Sequence, residues 1–88
     1  MLERDVIGKQ LLRAAHGVGA NIAEATGRWQ VNDRRRFLYV ARGSLHETEH
    51  WILCAEQQDL LAEGTALRVD EIARLLNGLI RKNPPKTL

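Results

Sequence analysis

The chain has 88 residues, of which 44% are hydrophobic and 27% are charged, and its formal net charge is +2. This length predicts one small domain (residues 1–88) with a thin core, and the single cysteine, Cys54, excludes an intramolecular disulfide. No apolar run approaches the roughly 20 residues that a membrane span needs, and the first residues lack the apolar core of a signal peptide. We therefore expect a cytoplasmic protein without a membrane partner.

The charges are unevenly distributed along the chain. Residues 1–44 hold eight Lys or Arg against four Asp or Glu, whereas residues 45–88 hold five against seven. Such local imbalance influences the choice of partner more than the total does. Val, Ile and Thr are scattered without strand alternation, so the chain reads as all-α.

The first predicted helix covers residues 3–26. Its apolar residues recur at spacings of three and four and form one stripe: Ile7, Leu11, Ala14, Ala15, Val18 and Ile22. Gly17 and Gly19 weaken a helix, and glycine retained there often marks the close approach of another helix. Gly27 is a natural C-terminal stop.

The second predicted helix covers residues 32–59, with Asn32 or Asp33 as its N-cap. Its apolar seam has heptad-type spacing: Leu38, Ala41, Leu45, Thr48, Ile52 and Ala55. At about 100° per residue, His46 and His50 lie off this seam on a flank, and Glu49 lies closer to it.

The third predicted helix covers residues 66–82, after Thr65 as a plausible N-cap, and Pro84 and Pro85 end it. Its apolar side is formed by Val69, Ile72, Leu75, Leu76, Leu79 and Ile80. Three amphipathic helices with short links predict an antiparallel up-down bundle of the four-helix-bundle type, with three helices present in this chain.

The chain carries more apolar residues than three helices need to pack against one another. The first helix carries further apolar residues outside its main stripe: Val6, Leu12, Ala20, Ala23 and Ala25. The surplus predicts a further helical surface, which either a missing helix or a neighbouring subunit would supply. Together with the thin core, it leads us to expect a homo-oligomer.

One motif suggests zinc chemistry. Residues 46–50 read HExxH, which places His46 and His50 on one helix face, with Glu47 as a general base and Asp70 or Glu71 as a third ligand downstream. The motif fixes only three residues, no third histidine follows, and no strand is predicted to hold a peptide. Zinc-dependent hydrolysis is therefore the alternative hypothesis. It ranks below two others, namely that the histidines face solvent or an interface, and that they bind zinc or nickel only adventitiously.

A basic group opens the second predicted helix. Arg34, Arg35 and Arg36 fall in its first turn, where the partial positive charge of the helix end disfavours cations. An anionic partner would account for them, and Arg28 and Trp29 nearby add a charge and a stacking surface. This interpretation predicts contact with RNA or DNA. The opposing interpretation is pairing with acidic residues, Asp33 or Glu24 among them, or with those of a neighbouring subunit.

Five polar residues near the apolar stripes form a second candidate group, namely Asn21, Glu24, Ser44, Glu47 and Glu49. Polar groups close to a core need hydrogen-bond partners, so we expect a structural network between helices or subunits. A ligand pocket is the alternative. Cys54 receives no role beyond packing or exposure.

Three segments resemble one bacterial family, the four helix bundle proteins, also called 23S rRNA intervening-sequence proteins. Residues 21–28 (NIAEATGR) resemble its NIAEG-x-GR motif, residues 37–49 its FL-x-x-A-x-GSL-x-ELE helix, and residues 75–80 (LLNGLI) its MLNGLI segment. Ala25 stands where the family usually has glycine, and Thr48 where it has leucine. The resemblance covers roughly residues 3–82, and Met1 falls near the start of the family's second helix, so the first helix is expected to be missing.

The resemblance implies a fold more than an activity. Family members are antiparallel four-helix bundles, several assemble as ring-shaped pentamers, and some are encoded inside insertions in 23S rRNA genes. A related branch, the accessory variability determinant of diversity-generating retroelements, is a basic pentamer that binds nucleic acid and works with a reverse transcriptase. No member has an established catalytic site, so the resemblance implies a non-enzymatic protein without a cofactor, and fold alone does not fix its function.

Overall fold

The structure, a computed structural model, describes residues 3–86. These residues form three α-helices, α1 (Glu3–Thr26), α2 (Val31–Gln57) and α3 (Val69–Lys82), and a 3-10 turn at Thr65–Arg68 leads into α3. No strand occurs among the described residues. The predicted all-α fold with three helices is confirmed.

Helix α1 ends where the sequence predicts. The Gly27 amide donates to the carbonyls of Ala23 and Glu24, both at 3.2 Å, and closes the last turn. The predicted stripe is buried at Ile7, Ala14 and Val18, with Ala25 added. Leu11 and Ile22 are half-buried, whereas Ala15 is exposed because it lies on the side of α1 turned away from α2.

Helix α2 begins earlier than predicted. Its N-cap is Gln30, in extended conformation, and the Gln30 side chain makes no capping hydrogen bond. Asn32 and Asp33 therefore lie inside the first turn, and the prediction that one of them caps the helix is wrong. The Asn32 amide group instead bonds the backbone of Lys86, donating to its carbonyl at 3.3 Å and accepting from its N–H at 2.9 Å. This tertiary contact replaces the local cap.

Helix α3 begins later than predicted because the first turn is a 3-10 helix. Thr65 is part of that turn rather than the N-cap, and its hydroxyl donates to the Ala62 carbonyl at 2.6 Å. The Glu56 carboxylate accepts from the Ala66 amide at 2.9 Å, which joins the turn to the end of α2. At the other end α3 stops at Lys82, before the two prolines, as predicted.

Helix α2 lies at the centre of the bundle and runs antiparallel to both neighbours. No Cα atom of α1 lies within 8 Å of one in α3, so the two outer helices do not pack their backbones on each other. The predicted seam is confirmed, since five of its six residues are buried and Ile52 packs against them. The core cluster consists of Val18, Ala25, Leu38, Ala41, Leu45, Val69, Leu76 and Ile80.

Gly17 marks the closest approach of α1 and α2. A Cβ atom at Gly17 would lie 2.9 Å from the Ser44 Oγ and 3.4 Å from the Ser44 Cβ, both shorter than ordinary contacts. The same atom at Gly19 would meet nothing within 4 Å. The expected close approach is therefore confirmed for Gly17 and wrong for Gly19, which faces outward.

A stripe of large apolar side chains on α3 lies uncovered. Ile72, Leu75 and Leu79, hereafter the α3 stripe, are 44%, 72% and 40% exposed. The bundle is also elongated, because its radius of gyration is 14.9 Å, whereas a compact chain of this length would have about 12 Å. The surplus of apolar surface expected on α1 is present at Val6 and Leu12, which are 38% and 60% exposed, whereas Ala25 belongs to the core. Among residues 3–86, no helix combines the length and the apolar character needed to cross a membrane.

Candidate functional site

Arg34 lies against the chain that follows α1. Its guanidinium donates to the carbonyls of Arg28 and Trp29, at 3.1 and 2.7 Å, and to the Asn83 side chain at 2.9 Å. Hydrogen bonds from a charged donor are stronger than neutral ones. Arg34 therefore fixes the connection between α1 and α2 and joins it to the end of α3.

Arg35 is directed to the C-terminal end of α3. It donates to the carbonyls of Ile80 and Asn83, at 3.1 and 2.9 Å, and to the Tyr39 hydroxyl at 2.9 Å. The last carbonyls of a helix lack partners within it and carry partial negative charge, which a cation stabilises. Arg34 and Arg35 thus satisfy backbone carbonyls at or beyond the ends of other helices, which neither the anionic-partner interpretation nor the pairing with acidic residues predicted.

Arg28 and Arg36 lie at the same end of the bundle and are more exposed. Both guanidinium groups lie over the Phe37 ring, at 4.8 and 4.9 Å from its centre. Arg28 pairs with Glu24 at 3.1 Å, and Arg36 approaches Asp33 at 4.0 Å. These are pairs that the opposing interpretation foresaw. Exposed pairs of this kind are worth little in water and leave the charges open to another anion.

Trp29 is the most exposed large apolar side chain at this end, with 87% of its surface accessible. It borders a depression of about 330 Å³, which is also lined by Gln30, Val31, Asn32 and Lys86. The first turn of α2 begins at this depression, and the side chain of its N-cap residue, Gln30, makes no hydrogen bond to the free amides of that turn. Sequence reasoning missed Lys86, because its place depends on a contact with Asn32 across 54 residues.

Five polar residues were expected to form a hydrogen-bonded network. Within residues 3–86, none of their side chains is hydrogen-bonded to another of the five. The Asn21 amide donates to the Gly17 carbonyl at 2.7 Å within α1, and Glu24 pairs with Arg28. Ser44 and Glu47 lie between α1 and α2, Ser44 against Gly17 and Glu47 in an ion pair with Arg13. Glu49 is half-buried on α2.

The HExxH residues take up positions that do not converge. His46 and His50 are exposed on the outer side of α2, while the Glu47 carboxylate is held by Arg13 of α1. Asp70 and Glu71, the candidate third ligands, are exposed at the start of α3. In the described part of the chain, no three His, Cys, Asp or Glu side chains are grouped closely enough to hold a metal. The neighbour of the His50 Nε2 atom is instead the Cys54 Sγ, at 3.7 Å.

Comparison with known proteins gives one match. The family model described as 23S rRNA-intervening sequence protein matches residues 1–81. No curated protein and no solved structure matches the chain significantly.

Proposed function

This chain belongs to the 23S rRNA-intervening sequence protein family, and from that premise we propose that it is a non-enzymatic helical subunit that assembles with further copies of itself. The observation that carries the proposal is the uncovered α3 stripe, with Leu75 at its centre and 72% exposed. Contiguous apolar surface of this kind marks interaction sites in small proteins. Burying a leucine contributes about 1.5–3 kcal/mol, which is a large gain for a domain with a thin core.

The same molecule offers a separate surface that such a stripe fits. One apolar depression, lined by Ile22, Ala25 and Leu38, includes Leu79 and therefore extends the α3 stripe itself. The separate surface lies at the opposite end of α1 and is formed by Ile7, Leu11, Ala55, Leu60 and Leu61 together with Arg4 and Gly8. A second copy of the chain is the occupant that we propose, because both complementary surfaces are then supplied by one sequence.

Contact between two different surfaces on identical subunits is head-to-tail. Such an interface closes into a ring when its rotation allows and otherwise grows into a filament. Ring closure agrees with the ring-shaped pentamers that the family resemblance implies. The proposal is therefore a closed ring in which the α3 stripe of one copy packs on the α1 side of the next.

Light scattering coupled to size exclusion tests the assembly. We expect a mass of several chains for the native protein and a monomer for Leu75→Glu, with helical circular dichroism retained because Leu75 is outside the core. Val40→Glu is the matched control, since Val40 is 48% exposed on α2 and belongs to neither surface. A folded native monomer at high concentration, or a Leu75→Glu variant that still assembles, contradicts the proposal.

A second proposed activity is contact with RNA or DNA, or with a nucleic-acid enzyme such as a reverse transcriptase. It is favoured by the exposed Trp29 beside Arg28 and Arg36, since an aromatic face and open cations suit single-stranded nucleic acid. Arg34 and Arg35 contribute charge to this end, but their guanidinium groups are already bonded to carbonyls. The candidate contacts with nucleic acid are therefore the more exposed side chains, those of Arg28, Trp29 and Arg36.

Fluorescence anisotropy with labelled single-stranded RNA and DNA at low salt tests this activity. Trp29→Ala and Arg36→Gln should each weaken binding, and Arg36→Gln should lower the salt dependence by about one counterion. Arg74→Gln is the charge-matched control, because Arg74 is exposed on α3, away from this end. If neither nucleic acid binds, or if the control weakens binding as strongly, the idea fails while the assembly proposal stands.

The zinc hydrolase hypothesis receives the least support. A general base must reach a water held by the metal, and the Glu47 carboxylate is engaged with Arg13 on the side facing α1. The histidines are directed to the outer face of α2, where the candidate third ligands of α3 do not join them. We therefore propose no reaction for this motif.

A further inference from the structure

The segment that follows α3, residues 83–86, is attached to the first turns of α2 at both of its ends. The carbonyl of Asn83 accepts a hydrogen bond from the Arg35 guanidinium at 2.9 Å. At the other end, the Asn32 side chain donates to the Lys86 carbonyl at 3.3 Å and accepts from the Lys86 N–H at 2.9 Å. We call this segment the strap. Because Asn32 bonds both backbone groups of one residue, it fixes the position of Lys86 in particular.

The strap is also stiff between its two attachments. Pro84 and Pro85 stand there, and the proline ring holds φ at about −65°. The backbone of Lys86 is therefore positioned by hydrogen bonds on both sides of a restricted segment. A side chain that extends from a fixed backbone loses less conformational freedom when it binds a ligand, so it contributes more to affinity than a lysine on a freely moving chain.

The place where the strap holds Lys86 is the depression of about 330 Å³ beside Trp29. This volume lies at the lower end of the ~300–1,000 Å³ that small-ligand sites have, which is room for one nucleotide. Trp29 supplies an exposed aromatic face, and among the described residues no ion pair engages Lys86. Bases of single strands stack on aromatic side chains while cations follow the phosphates, so the depression combines both kinds of contact.

We propose that this depression binds one nucleotide of single-stranded RNA or DNA, with the base against Trp29 and the phosphate at the Lys86 ammonium. The inference rests on the proposed contact with nucleic acid and adds two residues to it. Lys86 is a binding residue, and Asn32 is a positioning residue that acts by holding the Lys86 backbone. Because every base has a face that stacks, the site tolerates different base sequences but requires unpaired bases.

Fluorescence anisotropy with one short labelled sequence, offered as single-stranded RNA, single-stranded DNA and duplex DNA, tests the site. Both single strands should bind more tightly than the duplex. Lys86→Gln should weaken single-strand binding about threefold or more and lower its salt dependence by about one counterion. Asn32→Ala should do the same although it removes no charge, because the Lys86 backbone is then no longer held. The double variant should bind no more weakly than Lys86→Gln, since both changes remove the same contact.

Lys82→Gln is the matched control, because Lys82 is an exposed lysine in the last turn of α3 and does not line the depression. At physiological salt it should change the affinity by less than about twofold, since charges farther than a Debye length are screened. Lys86→Arg should keep the native salt dependence. All four side-chain changes are at exposed positions, so circular dichroism should show unchanged helix content.

Three results overturn the nucleotide site while the proposed contact with nucleic acid stands. These are equal losses in Lys86→Gln and Lys82→Gln, native salt dependence in Asn32→Ala, and a duplex bound as tightly as the single strands. Absence of all binding by the native protein overturns both proposals.

Discussion

Replacing Gly17 with alanine has two opposing effects on the free energy of unfolding. Inside a helix, alanine is favoured over glycine by about 0.8–1.0 kcal/mol, so the change should stabilise the protein if space were free. The new Cβ, however, would lie 2.9 Å from the Ser44 Oγ and 3.4 Å from the Ser44 Cβ. The hydroxyl can rotate, but the Cβ moves only with the backbone of α2, so α1 and α2 must shift apart by a few tenths of an ångström.

Forcing an extra methyl group into a packed interface costs about 1–3 kcal/mol. This cost exceeds the gain in helix propensity over most of its range, and we expect Gly17→Ala to lower the free energy of unfolding by up to about 2 kcal/mol. Gly43→Ala is the matched control, because Gly43 lies inside α2, is exposed and would meet nothing within 4 Å. It should raise the free energy of unfolding by about 0.8–1.0 kcal/mol.

Thermal and urea unfolding, followed by circular dichroism at one fixed protein concentration, measure both variants. For a domain of this size, about 1 kcal/mol shifts Tm by about 4–8 °C, so the two variants should move in opposite directions. Adding Ser44→Ala to Gly17→Ala removes the nearer contact and should restore about half of the loss or more. Equal stabilisation by Gly17→Ala and Gly43→Ala would refute the close approach of α1 and α2.

Four further substitutions follow from the contacts, each measured by urea unfolding. Arg35→Ala should cost about 1.5–3 kcal/mol, because two carbonyls at the end of α3 lose a charged donor; a neutral result would mean that water replaces it. Leu76→Ala should cost about 2–5 kcal/mol, since Leu76 is 1% exposed, and a cost below this range would indicate a collapsible core. Glu47→Gln should cost less than about 1 kcal/mol, because its pair with Arg13 is largely exposed, and salt should reduce the effect. Trp29→Ala should stay within about 0.5 kcal/mol, since Trp29 is 87% exposed, and a larger loss would reveal a contact in the assembled protein.

The fold was predictable because periodicity alone identifies the buried face of α2. Thr48 is instructive, since a polar residue stands in an apolar seam and is nevertheless 8% exposed. Its hydroxyl donates to the Ser44 carbonyl at 2.7 Å, a bond within the helix that makes burial tolerable. A threonine whose hydroxyl is hydrogen-bonded within its own helix can therefore occupy a core position, as the periodicity predicts.

The candidate site was less predictable because its contacts join residues far apart in sequence. Arg35 donates to carbonyls 45 and 48 residues away, and no local sequence pattern predicts that a guanidinium group caps another helix. Local capping preferences also failed for Asn32, whose side chain bonds Lys86 across 54 residues. The pairing of His50 with Cys54 is local, and the spacing of four residues on a predicted helix was the signal that would have found it.

Arg34 and Arg35 are adjacent in the chain, yet their guanidinium groups bond the backbone after α1 and the end of α3 respectively. The backbones of α1 and α3 do not approach each other, so these neighbouring side chains connect the two outer helices through α2. Loosening the first turns of α2 would release carbonyls at both places at once. We therefore expect the two outer helix ends to open together, so that amide protons at both places exchange with solvent through the same local opening.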